Sequence, residues 1–414
     1  MNCRHCKTPL THSFANLHHQ PISNAFLTKK QLEEPEVYYP LHVYVCEACF
    51  LVQVAEYKKS DDIFTDDYVY FSSMSSSWVE HARQYVAMML ERFDLDVHSF
   101  IVEIASNDGY LLQHCVERGI PCLGVEPAGN TAQVAKRKGI SCVQDFFGTA
   151  LAERLVKEGK KADVLLGNNV LAHVPDINNF VRGMKILLAD NGVVTMEFPH
   201  LMELVANNQF DTIYQEHYSY LSFSTVCHIF ETQGLRIFDV EQLPTHGGSL
   251  RIFATHTENS WHKTRPSVSR LYQVEKQANM HNIAYYTGFQ QQIQTTKKAL
   301  LYFLLEQKKN GKKVAAYGAA AKGNTFLNAC GIKSDLIDFC VDKAPSKQGM
   351  YMPGSHIPVY DPTYLRQEKP DVVLILPWNI AEEIKTEHSY LKDWNGVFVT
   401  AIPELRIFTV ETSP

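Results

Sequence analysis

The part of this chain best equipped for chemistry is residues 214–220, which read YQEHYSY. A His beside a Glu and between tyrosines can abstract a proton from carbon, because imidazole titrates near neutral pH. The carboxylate and the phenols can orient the imidazole or hold a developing enolate. The alternative is that the three tyrosines are half-buried aromatic residues and His217 is a core histidine with satisfied hydrogen bonds. Alone, the seven residues favour this second interpretation, and the neighbouring motifs reverse the preference.

A strand–loop–helix unit precedes these residues and is suited to position a cofactor. Residues 100–104 are an apolar, strand-like run, residues 105–109 (ASNDG) predict a sharp turn, and a helix is expected to start at Tyr110. This is the first unit of a doubly wound sheet, in which small loop residues let the backbone approach a ligand. The loop carries one glycine, Gly109, and not the three of a dinucleotide fingerprint, so a pyrophosphate cofactor is not favoured.

Further strands are predicted at residues 122–125, 140–143, 162–167 and 193–199, and polar residues follow several of them. An acidic residue after the second strand, Glu126, is placed to accept hydrogen bonds from a ribose diol. After the third strand, Asp145 can accept from an adenine amino group and an aromatic residue can cover the ring. Each signal is weak alone, but their succession is strong because ligands bind at this edge of such sheets. The cofactor-binding candidates are Glu103, Ala105, Asn107, Gly109, Tyr110, Leu111, Glu126, Pro127, Asp145, Phe146, Asn168, Asn169 and His173.

Two pairs of cysteines near the amino terminus predict a structural zinc site. Each pair, Cys3 with Cys6 and Cys46 with Cys49, has the C-x-x-C spacing that seats two thiolates on one turn. Four cysteines leave no open position for water, so a catalytic zinc is not expected. His5 in place of one cysteine stays open, as does the alternative of four unrelated thiols. The segment between the pairs is a small, loop-rich unit that needs a cross-link such as bound zinc for stability.

The carboxy-terminal part predicts a second α/β sheet. A connecting helix is expected over residues 290–310, followed by strands at 312–318, 336–342 and 372–378. The helix that opens after Gly318 can take a phosphate at its N-terminus, although the order of a Walker A loop is absent. Lys322 and Lys347 are the candidate phosphate contacts. The alternative is a lobe for dimerisation or structural support.

Composition limits the classes of function. The chain has 414 residues, 45% hydrophobic and 20% charged, with a net charge of −6, which is normal for a globular protein of two or three domains. No block of like charges suggests a nucleic-acid partner, and no apolar run is long enough to span a membrane. The start has no apolar signal core, so a cytoplasmic protein is expected, with thiols or metal ligands in place of disulfides.

Residues 75–240 resemble the class I S-adenosylmethionine-dependent methyltransferases, and several segments together resemble a narrower family. That family comprises the three-domain sugar C-methyltransferases that act on nucleotide-linked 4-keto-deoxysugars. The segments are the four cysteines, residues 68–73 (YVYFSS) and 77–82 (SWVEHA), 103–109 (EIASNDG), 214–220 (YQEHYSY), 246–251 (HGGSLR) and 317–323 (YGAAAKG).

The resemblance implies an α/β fold with a zinc-binding module at 1–72, a Rossmann-like methyltransferase domain at 73–285, and a Rossmann-like nucleotide-sugar domain at 286–414. It also implies two cofactors, S-adenosylmethionine and structural Zn²⁺, and a monomer or homodimer. His217 would be the base, and Tyr214 and Glu216 would hold the sugar. Tyr70 would close over the substrate with Tyr68 as second choice, and Arg251 would contact it.

Other functions remain open from the residues alone. A methyltransferase acting on oxygen or nitrogen also needs a base, so His217 does not discriminate it from a C-methyltransferase. A zinc-stapled nucleotide-binding regulator without catalysis is a second alternative, which the intact Glu126, Asp145 and His217 disfavour. A dehydrogenase with two Rossmann-like domains is a third, which the single glycine of the loop disfavours.

Overall fold

The computed structural model describes residues 1–57 and 71–408. Its strands are β1 (His12–Gln20), β2 (Tyr39–Val45), β3 (Val52–Val54), β4 (Ile101–Ile104), β5 (Cys122–Val125), β6 (Ser141–Val143), β7 (Ala162–Asn168), β8 (Leu188–Pro199), β9 (Ser219–Tyr220), β10 (Leu235–Leu243), β11 (Ser249–His256), β12 (Val314–Tyr317), β13 (Phe339–Val341), β14 (Val359–Tyr360), β15 (Val372–Ile375), β16 (Val397–Thr400) and β17 (Arg406–Phe408).

The helices follow in chain order. They are α1 (Ser76–Arg92), α2 (Gln113–Val116), α3 (Gly129–Arg137), α4 (Thr149–Lys157), α5 (Ile177–Leu187), α6 (Leu201–Ala206), α7 (Phe223–Thr232), α8 (Pro266–Gln277), α9 (Ala284–Thr287), α10 (Phe289–Lys309), α11 (Ala321–Cys330), α12 (Tyr364–Glu368) and α13 (Ala381–Glu387). Short 3₁₀ turns at Ser72–Met74, Leu171–His173, Phe210–Thr212 and Trp378–Ile380 bear on the site. Among the described residues, none of the helices is both long and apolar enough to cross a membrane.

The chain divides into two units, and each is assembled from three separate segments. Unit 1 comprises Met1–Thr11, Cys46–Leu201 and Tyr218–Tyr285. Unit 2 comprises His12–Val45, Met202–His217 and Tyr286–Pro414. The three-way division predicted from the sequence, with boundaries after residues 72 and 285, stays a prediction.

Unit 1 is built on a seven-stranded sheet with the order β6-β5-β4-β7-β8-β11-β10. Its strands pair in parallel from β6 to β8, and β11 runs antiparallel to both of its neighbours. The chain moves outward from β4 through β5 and β6 and then returns to β7 on the other side. The carboxyl ends of β4 and β7 therefore form a switch point, where ligands bind in open α/β sheets.

The elements of unit 1 follow local signals in the sequence. All four residues of β4 are buried, as expected for a short apolar run in the middle of a parallel sheet. Helices α1 and α5 begin after side chains that accept a backbone N–H, namely Ser75 from Trp78 and Asp176 from Asn179. The predicted helix after the first loop begins at Gln113 and not at Tyr110, because the chain is still turning through residues 105–112.

Unit 2 contains the β1–β2 antiparallel pair and a six-stranded sheet with the order β14-β13-β12-β15-β16-β17. Five strands are parallel and β17 is antiparallel. A second switch point lies between β12 and β15, since the chain leaves β12 toward β13 and returns at β15. The Phe14 ring of β1 stacks on Phe289 of α10, with ring centroids 4.6 Å apart. The β1–β2 pair is thus packed on α10 of its own unit.

Candidate active site

The carboxyl edge of β4 and β5 in unit 1 holds a carboxylate in a fixed position. Glu126 is 4% exposed, and its two oxygens accept the backbone N–H groups of Asn107 and Ala128, each at 2.9 Å. Burial raises the pKa of Glu126, while these two hydrogen bonds act in the opposite direction. The carboxylate is therefore positioned by the backbone and not by a neighbouring cation. The adjacent Pro127 is half-buried at the same edge.

The loop after β4 is shaped for close approach of the backbone to a ligand. Ala105, Asn107 and Gly109 all have positive φ, at 57°, 49° and 75°. A Cβ atom on Gly109 would lie 2.3 Å from Ile140 Cδ1, so this position requires glycine for space as well as for conformation. Left-handed backbone at the two other residues costs energy and concentrates at functional sites.

Two side chains of this loop bind the segment just before α1. Asn107 Oδ1 accepts the backbone N–H of Ser72 at 2.8 Å. Asp108 Oδ2 accepts the backbone N–H of Ser73 at 3.3 Å and also its hydroxyl. The cofactor-type loop therefore holds the residues that directly follow the undescribed segment 58–70. The predicted substrate tyrosines, Tyr68 and Tyr70, lie outside the described residues.

The end of β7 brings together the remaining polar candidates of unit 1. Asn168 donates from Nδ2 to the Tyr110 hydroxyl at 3.2 Å, and its buried Oδ1 has no hydrogen-bond partner within the described residues. Asn169 Nδ2 lies 3.0 Å from His246 Nε2. His173 ends the adjoining 3₁₀ turn and is half-buried. An acceptor that is buried and unpartnered at the switch point fits a ligand that donates a hydrogen bond.

The other cofactor candidates differ in their exposure. Glu103 and Leu111 are completely buried, and burial raises the pKa of Glu103 well above its ordinary value. Asp145 pairs with Arg154 at 3.0 Å on the surface, and Phe146 is 40% exposed at the end of β6. Phe146 is therefore accessible to cover a flat ligand. Glu103 and Leu111 are part of the core beneath the loop.

The segment with the predicted base lies in unit 2. His217 Nδ1 is 2.7 Å from the carbonyl oxygen of Thr212. A carbonyl only accepts, so Nδ1 carries the proton and Nε2 is the basic nitrogen of the neutral ring. The Tyr214 ring is tilted by 33° against the imidazole, with centroids 4.0 Å apart. The structure therefore brings Tyr214 and His217 into direct contact and selects one tautomer of the histidine.

Glu216 has a partner that the sequence analysis missed. Asn24 donates from Nδ2 to Glu216 Oε1 at 2.8 Å, and Glu216 is buried. The neighbouring Gln215 donates to the carbonyl oxygen of Gln20 at 3.2 Å. Asn24 lies in the connection after β1, and Gln20 is the last residue of that strand. The end of β1 and the connection after it therefore contact the segment with the predicted base.

The carboxyl edge of the six-stranded sheet in unit 2 holds both candidate phosphate contacts. Lys322, in the first turn of α11, donates to Asn379 and lies 4.8 Å from the centre of the Trp378 ring. Lys347 donates to the carbonyl oxygen of Ala319 at 2.9 Å, and its ammonium is 3.4 Å from Asp342. The two lysines thus lie on either side of the loop after β12, at the switch point.

Similarity to known proteins covers nearly the whole chain. The C-methyltransferase NovU of Streptomyces niveus is 34% identical over 393 residues, which are 95% of this chain and 93% of that protein. This chain belongs to the S-adenosylmethionine-dependent C-methyltransferase family. A shorter match, at 30% identity over 95 residues, is to the ubiquinone biosynthesis O-methyltransferase of Bartonella quintana, and it covers 23% of this chain and 38% of that protein.

Family models match three regions of this C-methyltransferase. They describe a zinc binding domain at residues 3–64, a methyltransferase domain at 78–240 and a C-methyltransferase C-terminal domain at 244–403. Among solved structures, a methyltransferase from Clostridium acetobutylicum is 10% identical with a TM-score of 0.36, covering 43% of this chain and 92% of that one. The predicted fold class is confirmed by the family models and the strand order.

S-adenosylmethionine is the cofactor of the C-methyltransferase, and the residues at the switch point of unit 1 fit it. Glu126 presents a fixed carboxylate of the kind that accepts from a ribose diol. Asn168 offers a buried oxygen without a partner among the described residues. Gly109 lets the loop backbone pack closely against Ile140 and Ala135, which fixes the loop at this edge. The assignment of individual cofactor contacts stays a prediction.

The four cysteines fit structural zinc. Their Sγ atoms all lie within 4.8 Å of one another, with 3.6 Å between Cys3 and Cys49 and 3.5 Å between Cys6 and Cys46. A tetrahedral site with Zn–S bonds of about 2.3 Å needs sulfur atoms roughly 3.8 Å apart. The hydrogen bond between Cys3 and Cys49 lowers the pKa of the Cys3 thiol and raises that of the Cys49 thiol, because the two sulfur atoms share one proton.

The two zinc turns share one backbone form. Lys7 and Phe50, the residues after the second cysteine of each pair, both have positive φ, and their N–H groups donate to Cys3 and Cys46 respectively. The imidazole of His5 is not part of this cluster, because its Nδ1 lies 2.7 Å from Asn178 Oδ1. The cysteine-only set predicted from the spacing is therefore the one that the structure assembles.

Arg251, predicted to contact the substrate, has partners inside unit 1. Its guanidinium is 3.0 Å from Glu197 and 3.3 Å from Glu241, and it lies 3.8 Å from the centre of the Tyr85 ring. His81 binds the same Glu197 carboxylate at 3.0 Å. Burial raises the pKa of Glu197, but His81 and Arg251 lower it overall. A substrate role for Arg251 stays a prediction.

Proposed function

We propose that this C-methyltransferase methylates C3 of a nucleotide-linked 4-keto-6-deoxysugar, with TDP as the nucleotide, in cytoplasmic deoxysugar biosynthesis. The C3 hydrogen of such a sugar is acidic because the C4 ketone delocalises the electron pair. The enzyme must therefore provide a base for this proton and donors for the oxyanion that develops on O4.

The observation that supports this proposal is the arrangement around His217. Thr212 holds the proton on Nδ1, so Nε2 is the base that takes the C3 proton. The electron pair of the C–H bond then enters the enolate of C3, C4 and O4. Tyr214 and Glu216 hold the sugar, and of the two the Tyr214 hydroxyl is the donor for the developing oxyanion. S-adenosylmethionine, when bound, supplies an electrophilic methyl group for C3.

The second sheet provides a site for the nucleotide part of the substrate. Lys322 and Lys347 place two ammonium groups at the switch point of unit 2, where ligands of such sheets bind. We assign the diphosphate to these lysines. Tyr70, or Tyr68, would close over the sugar, and both lie outside the described residues.

Hydrogen exchange tests the proposal directly. The protein is incubated in D₂O with S-adenosylhomocysteine and a TDP-4-keto-6-deoxysugar, and the C3 hydrogen is followed by NMR. We expect exchange in the wild type and none when a hydroxyl replaces the 4-ketone. With ¹³C-methyl S-adenosylmethionine, the product should then carry a methyl singlet on carbon.

The other outcomes separate the alternatives. A labelled methyl group on oxygen or nitrogen would overturn the C3 assignment. Exchange with GDP-, UDP- or CDP-linked sugars but not with the TDP-linked sugar would replace the nucleotide and keep the chemistry. Absence of exchange with every keto sugar would overturn the proposed function, provided that S-adenosylhomocysteine still binds.

A further inference from the structure

A buried carboxylate precedes the base segment and has no assigned role. Asp211 lies in the 3₁₀ turn Phe210–Thr212 and is 1% exposed. Its Oδ2 accepts the indole N–H of Trp378 at 2.8 Å. Asp211 also lines a cavity with room for about one water molecule. A charged group in such surroundings costs stability, so its retention requires a reason.

The indole of Trp378 contacts Lys322, one of the two proposed phosphate contacts, as well as Asp211. Trp378 follows β15 at the switch point of unit 2, and its ring face lies 4.8 Å from the Lys322 ammonium. Burial lowers the pKa of Lys322, and the charge of Asp211 acts against this. Asp211 is thus electrostatically coupled to the lysine to which we assign the diphosphate.

Asp211 is also connected to His217, the proposed base, through the backbone of the next residue. Its neighbour Thr212 provides the carbonyl that fixes the His217 tautomer, at 2.7 Å. The turn that contains both residues is closed by two backbone hydrogen bonds. Thr212 donates to Gln209 at 3.1 Å, and Ile213 donates to Phe210 at 3.0 Å. A displacement of Asp211 therefore displaces the carbonyl that orients the imidazole.

We propose that Asp211 is a positioning residue. Through its hydrogen bond to Trp378 it holds residues 211–217 beside Lys322, and so it links substrate binding at Lys322 to the orientation of His217. This proposal rests on the proposed function, because it assigns the anion to the diphosphate of the sugar nucleotide. Asp211 itself touches neither the sugar nor the cofactor in this scheme. Its contribution is the hydrogen bond to Trp378.

Kinetics of four variants test the link. Asp211→Ala and Trp378→Phe each remove the hydrogen bond, and we expect kcat to fall about 10- to 100-fold, with S-adenosylhomocysteine affinity unchanged. The double variant should be no slower than either single variant. Asp211→Asn keeps an oxygen that can accept from the indole and should recover kcat to within about threefold of the wild type. An exposed control, His98→Ala, should leave kcat unchanged.

Several results would overturn the role of Asp211. Unchanged kcat in Asp211→Ala would do so, as would additive losses in the double variant. Equal losses in Asp211→Asn and Asp211→Ala would point to the charge in place of the hydrogen bond. If Asp211→Ala does not fold, Asp211→Asn and Trp378→Phe carry the same test.

A spectroscopic measurement separates this proposal from the proposed function. Nitrogen-15 NMR of protein labelled at histidine reports whether Nδ1 or Nε2 of His217 carries the proton, with His217→Ala identifying the signal. We expect the Nδ1–H tautomer in the wild type and a mixture in Trp378→Phe. A wild type that is inactive on the TDP sugar but shows this change would reject the substrate and keep the positioning role. An unchanged tautomer in Trp378→Phe would reject the positioning role.

Discussion

An imidazole can act as a base at only one nitrogen once the other donates a hydrogen bond. In this C-methyltransferase the carbonyl oxygen of Thr212 takes the proton of His217 Nδ1, and the Tyr214 ring lies against the imidazole. The residue types of this site are common, whereas the selection of the tautomer is specific to the local backbone. At the scale of the residue, the local backbone therefore leaves Nε2 as the basic nitrogen of His217, as the proposed proton abstraction requires.

Replacement of His217, the proposed base, gives the first prediction. His217→Ala should abolish C3 exchange and methyl transfer and leave the dissociation constant of S-adenosylhomocysteine nearly unchanged, because the cofactor candidates are on other elements. Exchange by NMR and calorimetry with S-adenosylhomocysteine are the measurements. The exposed His98→Ala serves as the control. Turnover near the wild-type rate in His217→Ala would remove this histidine as the base.

Asn24 gives the second prediction, because it donates to the buried Glu216 at 2.8 Å. Asn24→Asp replaces the donor with a like charge beside the carboxylate, and we expect kcat to fall more than tenfold. Asn24→Ala removes only the hydrogen bond, and a loss of about tenfold is expected. Steady-state kinetics at saturating cofactor measure both. Equal rates for the two variants and the wild type would show that Glu216 needs no such partner.

Asp211 gives a prediction on stability against pH. Burial raises its pKa to about 6 from 3.8, so the folded state binds this proton more tightly than the unfolded state. The resulting stabilisation is complete below about pH 3.8 and is lost as the pH rises through about 6. Two pKa units correspond to about 3 kcal/mol.

Asp211→Asn does not titrate at this position and is the reference. Urea unfolding of both proteins between pH 4 and 7.5 should show the wild type losing about 2 kcal/mol of stability relative to the variant, because the unfolded carboxyl is already more than half ionised at pH 4. A difference that does not change with pH would mean that the carboxyl has an ordinary pKa in the folded protein.

Local patterns in the sequence predict some of these residues and not others. The cysteine pairs and residues 214–220 are recognisable because their chemistry is contiguous in the chain. Asn24 lies 192 residues from Glu216, and Asp211 lies 167 residues from Trp378. No spacing rule joins residues so far apart, so these partners emerge only when the chain is folded. The internal partners of Arg251 escape prediction for the same reason.

At the scale of the element, a short apolar strand and the one glycine after it shape the loop at the carboxyl edge of β4, where the cofactor is expected to bind. Strands β4, β5 and β7 and the long helix α10 lie within a residue or two of their predicted positions, because apolar runs and helical spacing report them directly. The late start of α2 was harder to predict, since positive φ at Ala105 leaves no signature in residue type.

Gly109 provides the prediction at this scale, with Gly119 as its matched control. Both have positive φ, but a Cβ on Gly109 would lie 2.3 Å from Ile140, whereas Gly119 faces open space. Gly119→Ala should cost about 1 kcal/mol through backbone strain alone. Gly109→Ala adds the clash and should cost about 2–4 kcal/mol in total and weaken cofactor binding.

Thermal unfolding and calorimetry with S-adenosylhomocysteine measure these costs. Equal destabilisation by the two substitutions would show that the space at Gly109 is not limiting. Weakened cofactor binding in Gly119→Ala would show that the effect is not confined to the loop.

At the scale of the whole molecule, one metal ion joins segments that are far apart in the chain. The cysteine pairs are separated by 39 intervening residues, and His12–Val45 between them belong to unit 2. Cys46→Ser should lower the zinc content from one ion per chain and lower the thermal midpoint, because three thiolates do not close a tetrahedral site.

Metal analysis of the purified protein checks this prediction. Cys227→Ser, which changes a half-buried thiol outside the cluster, is the control and should retain zinc. A wild type without zinc would reject the site, and zinc retained at full occupancy in Cys46→Ser would remove Cys46 from the ligands.

The discontinuous units also set the order in which this chain can mature on the ribosome. The β1–β2 pair is synthesised early, but Phe14 stacks on Phe289, which appears about 270 residues later. At 5–20 residues per second the pair waits roughly 10–50 s for α10. During that time the face that packs on α10 has no partner from this helix. A nascent chain that stops near residue 285 would contain all of unit 1, but only the first two segments of unit 2. Translation must continue through the second sheet before unit 2 can fold.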